Sequence, residues 1–215
     1  SKYGLAPFTW GNVSVIDRET DLVAIKPSGV EYVKLSPESI VVLDLNGNVV
    51  RGTYKPSVDT PTHLELYRRF ENIGSVVHTH SKHATIHAQA KVPIKCFGTT
   101  HADYFFGEVP VTRDLTDAEI NNEYELNTGK VIAETFEKLN LNPLHCPACL
   151  VASHGPFVFG RTPEESVHNA VVLEIVAEMN LHTVSLVNGF PDFNQKLLDL
   201  HHSRKHGKSA YYGQS

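Results

Sequence analysis

A chain of 215 residues with 41% hydrophobic and 20% charged residues is long enough for one domain with a substantial core. A net charge of −5 and the lack of a long basic run leave no electrostatic footprint for nucleic acid. No apolar run approaches the ~18 residues that span a bilayer, so no membrane partner is expected. There is no signal or lipidation pattern, and three cysteines are too few for a disulfide framework, which makes a cytoplasmic location the default.

Taken in chain order, Thr9 to Ile16 and Asp21 to Ile25 read as strands. The sequence starts without Met and reaches a strand entry by Phe8-Thr-Trp-Gly-Asn12, so an N-terminal helix is expected to be missing from it. Ser39 to Arg51 predicts a hairpin in which Asn46-Gly47 supplies the positive φ values of a type I′ turn. Asp59-Thr-Pro61 opens a helix with Leu64, Tyr67 and Phe70 on one face. The run Gly74-Ser-Val-Val-His-Thr-His-Ser81 is strand-like, and Gly98 to Tyr104 reads as a loop. Thr116-Asp-Ala-Glu119 is a capping-box pattern, and Val131, Ile132, Thr135, Phe136 and Leu139 recur at helical spacing. Cys149 to Pro156 is again strand-like, and Thr162-Pro-Glu-Glu165 launches a helix over Ser166 to Asn180. From Leu198 the chain reads as a chemically dense tail. Hairpins flanked by helices, without strict βαβ alternation, predict an α/β fold: a single layered domain over 1–215, its mainly antiparallel central sheet flanked by helices.

Side chains at i and i+2 of a strand share a face, so His78 and His80 can close on one metal ion. His154 lies in the other strand-like run. Three imidazoles with an open fourth position describe a catalytic zinc site rather than a closed structural one. With 13 His in the chain, an H-x-H also arises easily by chance. Asp59 is either an ordinary N-cap or a carboxylate beside the metal, and both roles use a residue at the same turn. Lys26-Pro-Ser-Gly29 and Lys55-Pro-Ser57, with Gly11-Asn12, read as a phosphate cradle of cation, hydroxyl and close backbone N–H groups. No Walker loop or dinucleotide fingerprint accompanies them. Asp103 and His101 become acid–base candidates if their loop faces the metal. Cys146-Pro-Ala-Cys149 has no second cysteine pair and no βα redox context.

These motifs together resemble the class II (zinc-dependent) aldolase/epimerase family, in its L-ribulose-5-phosphate 4-epimerase branch. The resemblance spans nearly the whole chain. It rests on Thr9-Trp-Gly-Asn-Val-Ser14, Ile25-Lys-Pro-Ser-Gly-Val30, Asp59-Thr-Pro-Thr-His63, Val77-His-Thr-His-Ser81 and Thr99-Thr-His-Ala-Asp-Tyr104. It continues through Thr116 to Asn121, Ser153-His-Gly-Pro-Phe157, Arg204-Lys-His-Gly207 and Ala210-Tyr-Tyr-Gly-Gln214.

The resemblance implies one zinc ion per subunit on His78, His80 and His154, with Asp59 as a further ligand. Aldolases of the family usually carry Glu where this chain has Asp59, which favours the epimerase. It further implies Asp103 and Tyr212 as the acid–base pair, Tyr212 reaching in from a neighbouring subunit of a homo-oligomer, a tetramer by resemblance. His201 is implied near the same site. Gly11, Asn12, Lys26, Ser28, Gly29 and Ser57 match phosphate-binding positions. Val58 stands where a serine is usual, so only its backbone N–H can serve there, and Cys146 and Cys149 have no counterpart. The reaction implied is interconversion of L-ribulose 5-phosphate and D-xylulose 5-phosphate by retro-aldol cleavage and re-addition. An aldolase that releases the aldehyde is the near rival, and a non-enzymatic zinc module the distant one.

Overall fold

A computed structural model describes residues 3–206, so Tyr212 lies outside the described residues. Seven strands are present there: β1 (Asn12–Asp17), β2 (Leu22–Ile25), β3 (Val41–Asp44), β4 (Val49–Arg51), β5 (Ser75–His78), β6 (Ala148–Val151) and β7 (Gly155–Gly160). They form one sheet in the order β4-β3-β2-β1-β5-β7-β6, with every neighbouring pair antiparallel. The helices are α1 (Thr60–Arg69), α2 (Lys82–Ala90), α3 (Thr99–Ala102), α4 (Asp117–Asn121), α5 (Tyr124–Lys138), α6 (Pro163–Val187) and α7 (Gln195–His206).

Period-two alternation divides the central strands between two cores. Val76, Cys149, Val151, Phe157 and Phe159 join Leu64, Tyr67 and Phe70 of α1 and Ile132 and Phe136 of α5. The intervening Val77, Ala148, Leu150 and Val158 pack instead with Ala84 and Ala88 of α2 and Ala170, Leu173 and Val176 of α6. The sheet is therefore sandwiched between two helical layers. The α1–α5 contact is close because Gly129 faces the Glu65 side chain and the Thr62 carbonyl, where an added Cβ would sit 2.8 Å from Glu65 Cβ.

Four expectations are corrected. Only Gly47 of the β3–β4 turn has positive φ, and its N–H donates to Asp44 O at 3.0 Å. That is a three-residue loop closed by a left-handed glycine, not a type I′ turn. Asp44 selects it, since one of its carboxylate oxygens accepts from both Asn46 and Asn48 N–H. Within 98–104, Thr99–Ala102 is a turn of helix with His101 and Ala102 buried. Of the tail, residues 198–206 belong to α7, which packs on α3, and the remainder lies outside the described residues. Finally, α6 runs 25 residues and is long and apolar enough to cross a membrane by length and composition alone. Here it packs on the sheet through Ala170, Leu173 and Val176, with Asn169 donating to Phe159 O of β7 at 3.0 Å and Asn180 to Lys95 O, outside the sheet, at 2.6 Å. Its outer face leaves Val167, Ile175, Met179, Leu186 and Val187 exposed.

Candidate metal centre

The start of β1, the end of β5, the β6–β7 turn and the start of α1 meet at one end of the central strands. In register, Asn12 of β1 pairs with His78 of β5, and His78 with Phe157 of β7. His78 shares the parity of Val76, so it projects to the α1 side, where it stacks on Phe157 with ring centroids 4.2 Å apart. Its Nδ1–H donates to Pro156 O at 3.0 Å, which leaves Nε2 as the free nitrogen. His80 Nε2 lies 3.0 Å from that atom. His154 enters from the β6–β7 turn, where Ser153 takes φ 61 and its N–H donates to Ala88 O at 2.9 Å. One ligand atom from each of the three histidines falls within 4.8 Å of the others, and no other such group occurs among the described residues.

Charge on these rings is disfavoured. Burial holds His78 well below the ordinary histidine range, and the neighbouring His154 and His80 push it further down. Burial also lowers His80 and His154, against the pull of the Asp59 carboxylate on both. Neutral imidazoles with converging nitrogens are what a divalent cation binds, so the donor set fits one.

Asp59 precedes α1 but its side chain caps nothing. Instead it accepts from Asn12 Nδ2 at 2.6 Å, while the Asn12 oxygen is buried without a partner. The carboxylate lies outside the tightly grouped trio, yet near enough for its charge to act on His63, His80 and His154. The ordinary N-cap reading of Asp59 is thus not what the fold uses.

The two Lys-Pro-Ser segments come together as an antiparallel bridge between Pro27 and Pro56. Ser28 N–H donates to Lys55 O at 3.0 Å and Ser57 N–H to Lys26 O at 3.2 Å. Ser28, Gly29 and Val58 are exposed, whereas Ser57 is buried. Lys26 is buried too, with Nζ donating to Pro27 O at 3.2 Å and lying 5.0 Å from the Tyr32 ring centre. Desolvation lowers its pKa.

Asp103 accepts from His201 Nδ1 at 3.0 Å and from Arg204 at 3.2 and 3.0 Å. Burial alone would raise its pKa, but Arg204 and then His201 outweigh that and hold it below the usual carboxylate range. His101, by contrast, gives Nε2 to Gly107 O at 2.7 Å, and burial takes it down to about 4. That fits a packed core histidine.

Three polar residues that sequence reasoning gave no role brace the elements around the centre. Tyr124, which opens α5, places its hydroxyl 3.4 Å from His154 Nδ1. His63, one turn after Asp59, is fully buried with Nδ1 2.6 Å from Ser14 Oγ, which in turn lies 2.7 Å from Tyr67 Oη. Glu174 of α6 accepts from the N–H groups of His83 and Ala84 at 2.8 and 3.1 Å and from the His83 ring at 2.8 Å. It thereby caps α2, whose own N-cap Ser81 makes no side-chain cap.

A family profile described as "Class II Aldolase and Adducin N-terminal domain" matches residues 1–181. Among solved structures the chain is similar to an L-fuculose 1-phosphate aldolase, at 27% identity and TM-score 0.77, over 94% of this chain and 89% of that one. It is similar to the L-fuculose-1-phosphate aldolase from Thermus thermophilus at 26% identity and TM-score 0.66, over 89% and 92% of the two chains. YgbL from Klebsiella pneumoniae, described only as a candidate aldolase/epimerase/decarboxylase, shares the fold at 23% identity and TM-score 0.73, over 93% and 90%.

Proposed function

The chain belongs to the class II aldolase and adducin N-terminal domain family, and from that membership we propose that it interconverts L-ribulose 5-phosphate and D-xylulose 5-phosphate in the cytoplasm. The convergence of His78, His80 and His154 beside an aspartate, Asp59, carries this reading. His78, His80 and His154 would hold one zinc ion per subunit, with Asp59 as a further ligand. Bound there, the ion supplies Lewis acidity toward oxygens on which negative charge develops.

The rest falls to the chain's own residues. C4 of the ketose has no acidic hydrogen, because the carbonyl is at C2, so inversion needs C3–C4 cleavage. One of Asp103 and Tyr212 takes the C4 hydroxyl proton as that bond breaks to an enediolate and glycolaldehyde phosphate. Lys26, Ser28, Gly29, Ser57, the Val58 N–H, Gly11 and Asn12 hold the phosphate while the aldehyde turns its other face. The bond re-forms, and the second member of the pair returns the proton to the new C4 oxygen. A coupled assay from L-ribulose 5-phosphate to D-xylulose 5-phosphate tests the proposal, and metal-loaded protein without that turnover refutes it.

Similarity to two L-fuculose 1-phosphate aldolases above 25% identity favours a second reading, an aldolase. Stoichiometric release of a free aldehyde in the same assay would select it.

Tyr212 is proposed to act as an acid–base group on substrate in a neighbouring subunit's site, within a homo-oligomer of closed symmetry, a tetramer by resemblance. The exposed apolar residues along α6 support assembly. Mixing inactive His80→Asn and Tyr212→Phe chains should restore partial activity, since some interfaces would join an intact metal centre to an intact Tyr212. Subunit exchange with no recovery would place the tyrosine in its own chain's site.

A further inference from the structure

Trp10 is the sole tryptophan of the chain and has no role in the chemistry above. The residue is 50% exposed, an unusual position for a residue type that is mostly buried on average. Its backbone is fixed on both sides. The Trp10 N–H donates to Pro7 O at 3.1 Å, and its carbonyl accepts from Tyr32 Oη at 3.2 Å. The next residue, Gly11, is wedged against the His78 carbonyl, so a Cβ there would sit 2.5 Å from that oxygen. Phe8 meets the indole edge-on at 5.6 Å. Held in this way, the indole lies 6.3 Å from the His80 imidazole, ring centre to ring centre, with the planes tilted by 46°.

A rigid, half-exposed aromatic next to a metal ligand does nothing for the core. It offers a flat apolar surface at the mouth of a polar site, the usual complement to a few oriented polar groups. An open-chain sugar phosphate presents both kinds of surface, oxygens for the metal side and C–H groups for an aromatic face. Resting on the sugar-phosphate reading of the site, we propose that Trp10 is the apolar wall against which the C–H face of the bound sugar phosphate packs, and that it restricts which sugars fit.

The single tryptophan makes the test direct. Zinc is optically silent, so emission of the zinc-loaded protein should shift on titration with L-ribulose 5-phosphate and saturate near its KM. Trp10→Ala should raise KM by about 10-fold or more, the scale at which one apolar contact discriminates substrates, with Trp10→Phe restoring part of the loss. Zinc affinity by chelator competition should stay within about 3-fold of the parent, because the indole is not a ligand. Unmoved emission during full turnover overturns the proposal, as does an unchanged KM in Trp10→Ala. Emission that follows protein concentration instead of ligand assigns Trp10 to a subunit contact and also overturns it. If L-ribulose 5-phosphate is neither bound nor turned over, the titration is repeated with L-fuculose 1-phosphate. A response there keeps the wall and sinks only the epimerase reading, and silence toward both sinks the wall.

Discussion

Gly11 and Gly29 both have left-handed backbones, φ 72 and φ 68, and both sit in proposed phosphate-binding positions, yet their surroundings differ. A Cβ on Gly29 would meet nothing within 4 Å. One on Gly11 would lie 2.5 Å from His78 O and 3.3 Å from Thr79 Cα. Gly29→Ala should therefore cost only the left-handed penalty, about 1–2 kcal/mol. Gly11→Ala pays the same penalty and also forces main chain off main chain, a clash no rotamer can relieve. The yielding point is the end of the β1–β5 ladder, where Asn12 pairs with His78. Losing pairing there adds about 1–2 kcal/mol. Thermal unfolding of the metal-stripped variants, followed by circular dichroism, should thus place Gly11→Ala about 2–8 °C below Gly29→Ala. Zinc affinity by chelator competition should fall in Gly11→Ala, because His78 and the Asn12–Asp59 bond move with the strand end, and hold in Gly29→Ala. Equal melting temperatures and equal zinc affinities would refute the idea that close approach at Gly11 sets the geometry of the metal centre.

His80→Asn should fold but lose stoichiometric zinc, because only two of the three converging imidazoles remain; full occupancy by metal analysis would overturn the ligand assignment. Glu174→Ala should cost about 1 kcal/mol by uncapping α2. It should also weaken zinc by about 10-fold through loss of the anchor next to His80; zinc affinity that stays put while stability drops would make Glu174 purely structural. Burial pushes the Cys96 thiol up to about 11, Cys146 to about 12 and Cys149 well above the ordinary value. Since the thiolate is the reactive form, alkylation near pH 8 should be slow at Cys96, faster as pH rises, and absent at Cys146 and Cys149 until denaturant is added. Rapid labelling of Cys146 or Cys149 in the folded protein, read by peptide mass, would contradict their burial.

What could be read from the sequence was what lies close along the chain. His78 and His80 stand two apart in a run that strand alternation would put on one face, but β5 stops at His78, so the exposed His80 is carried by the segment just past the strand and meets His78 Nε2 there at 3.0 Å. The same locality explains the Thr116 capping box and the apolar stripe of α5. Joining His154 to that pair required β7 to lie beside β5, a long-range pairing that no local pattern encodes. Glu174 is further out of reach. It caps a helix about ninety residues earlier in the chain, and a glutamate on a long helix looks the same in sequence whether it faces water or a foreign N-terminus. Where local reading went astray, a partner outside the motif decided the outcome. The Asp44 carboxylate, acting with the left-handed Gly47, set a three-residue loop in place of the type I′ turn, and His101, on a one-turn helix, donates its ring N–H to the Gly107 carbonyl. A metal centre is legible to the extent that its ligands lie close along the chain, whereas the residues that brace the elements carrying them are recruited by topology and carry generic polar side chains. Tyr124, His63 and Glu174 are of that kind, and their substitutions therefore test the fold's contribution to the site separately from the ligands' own.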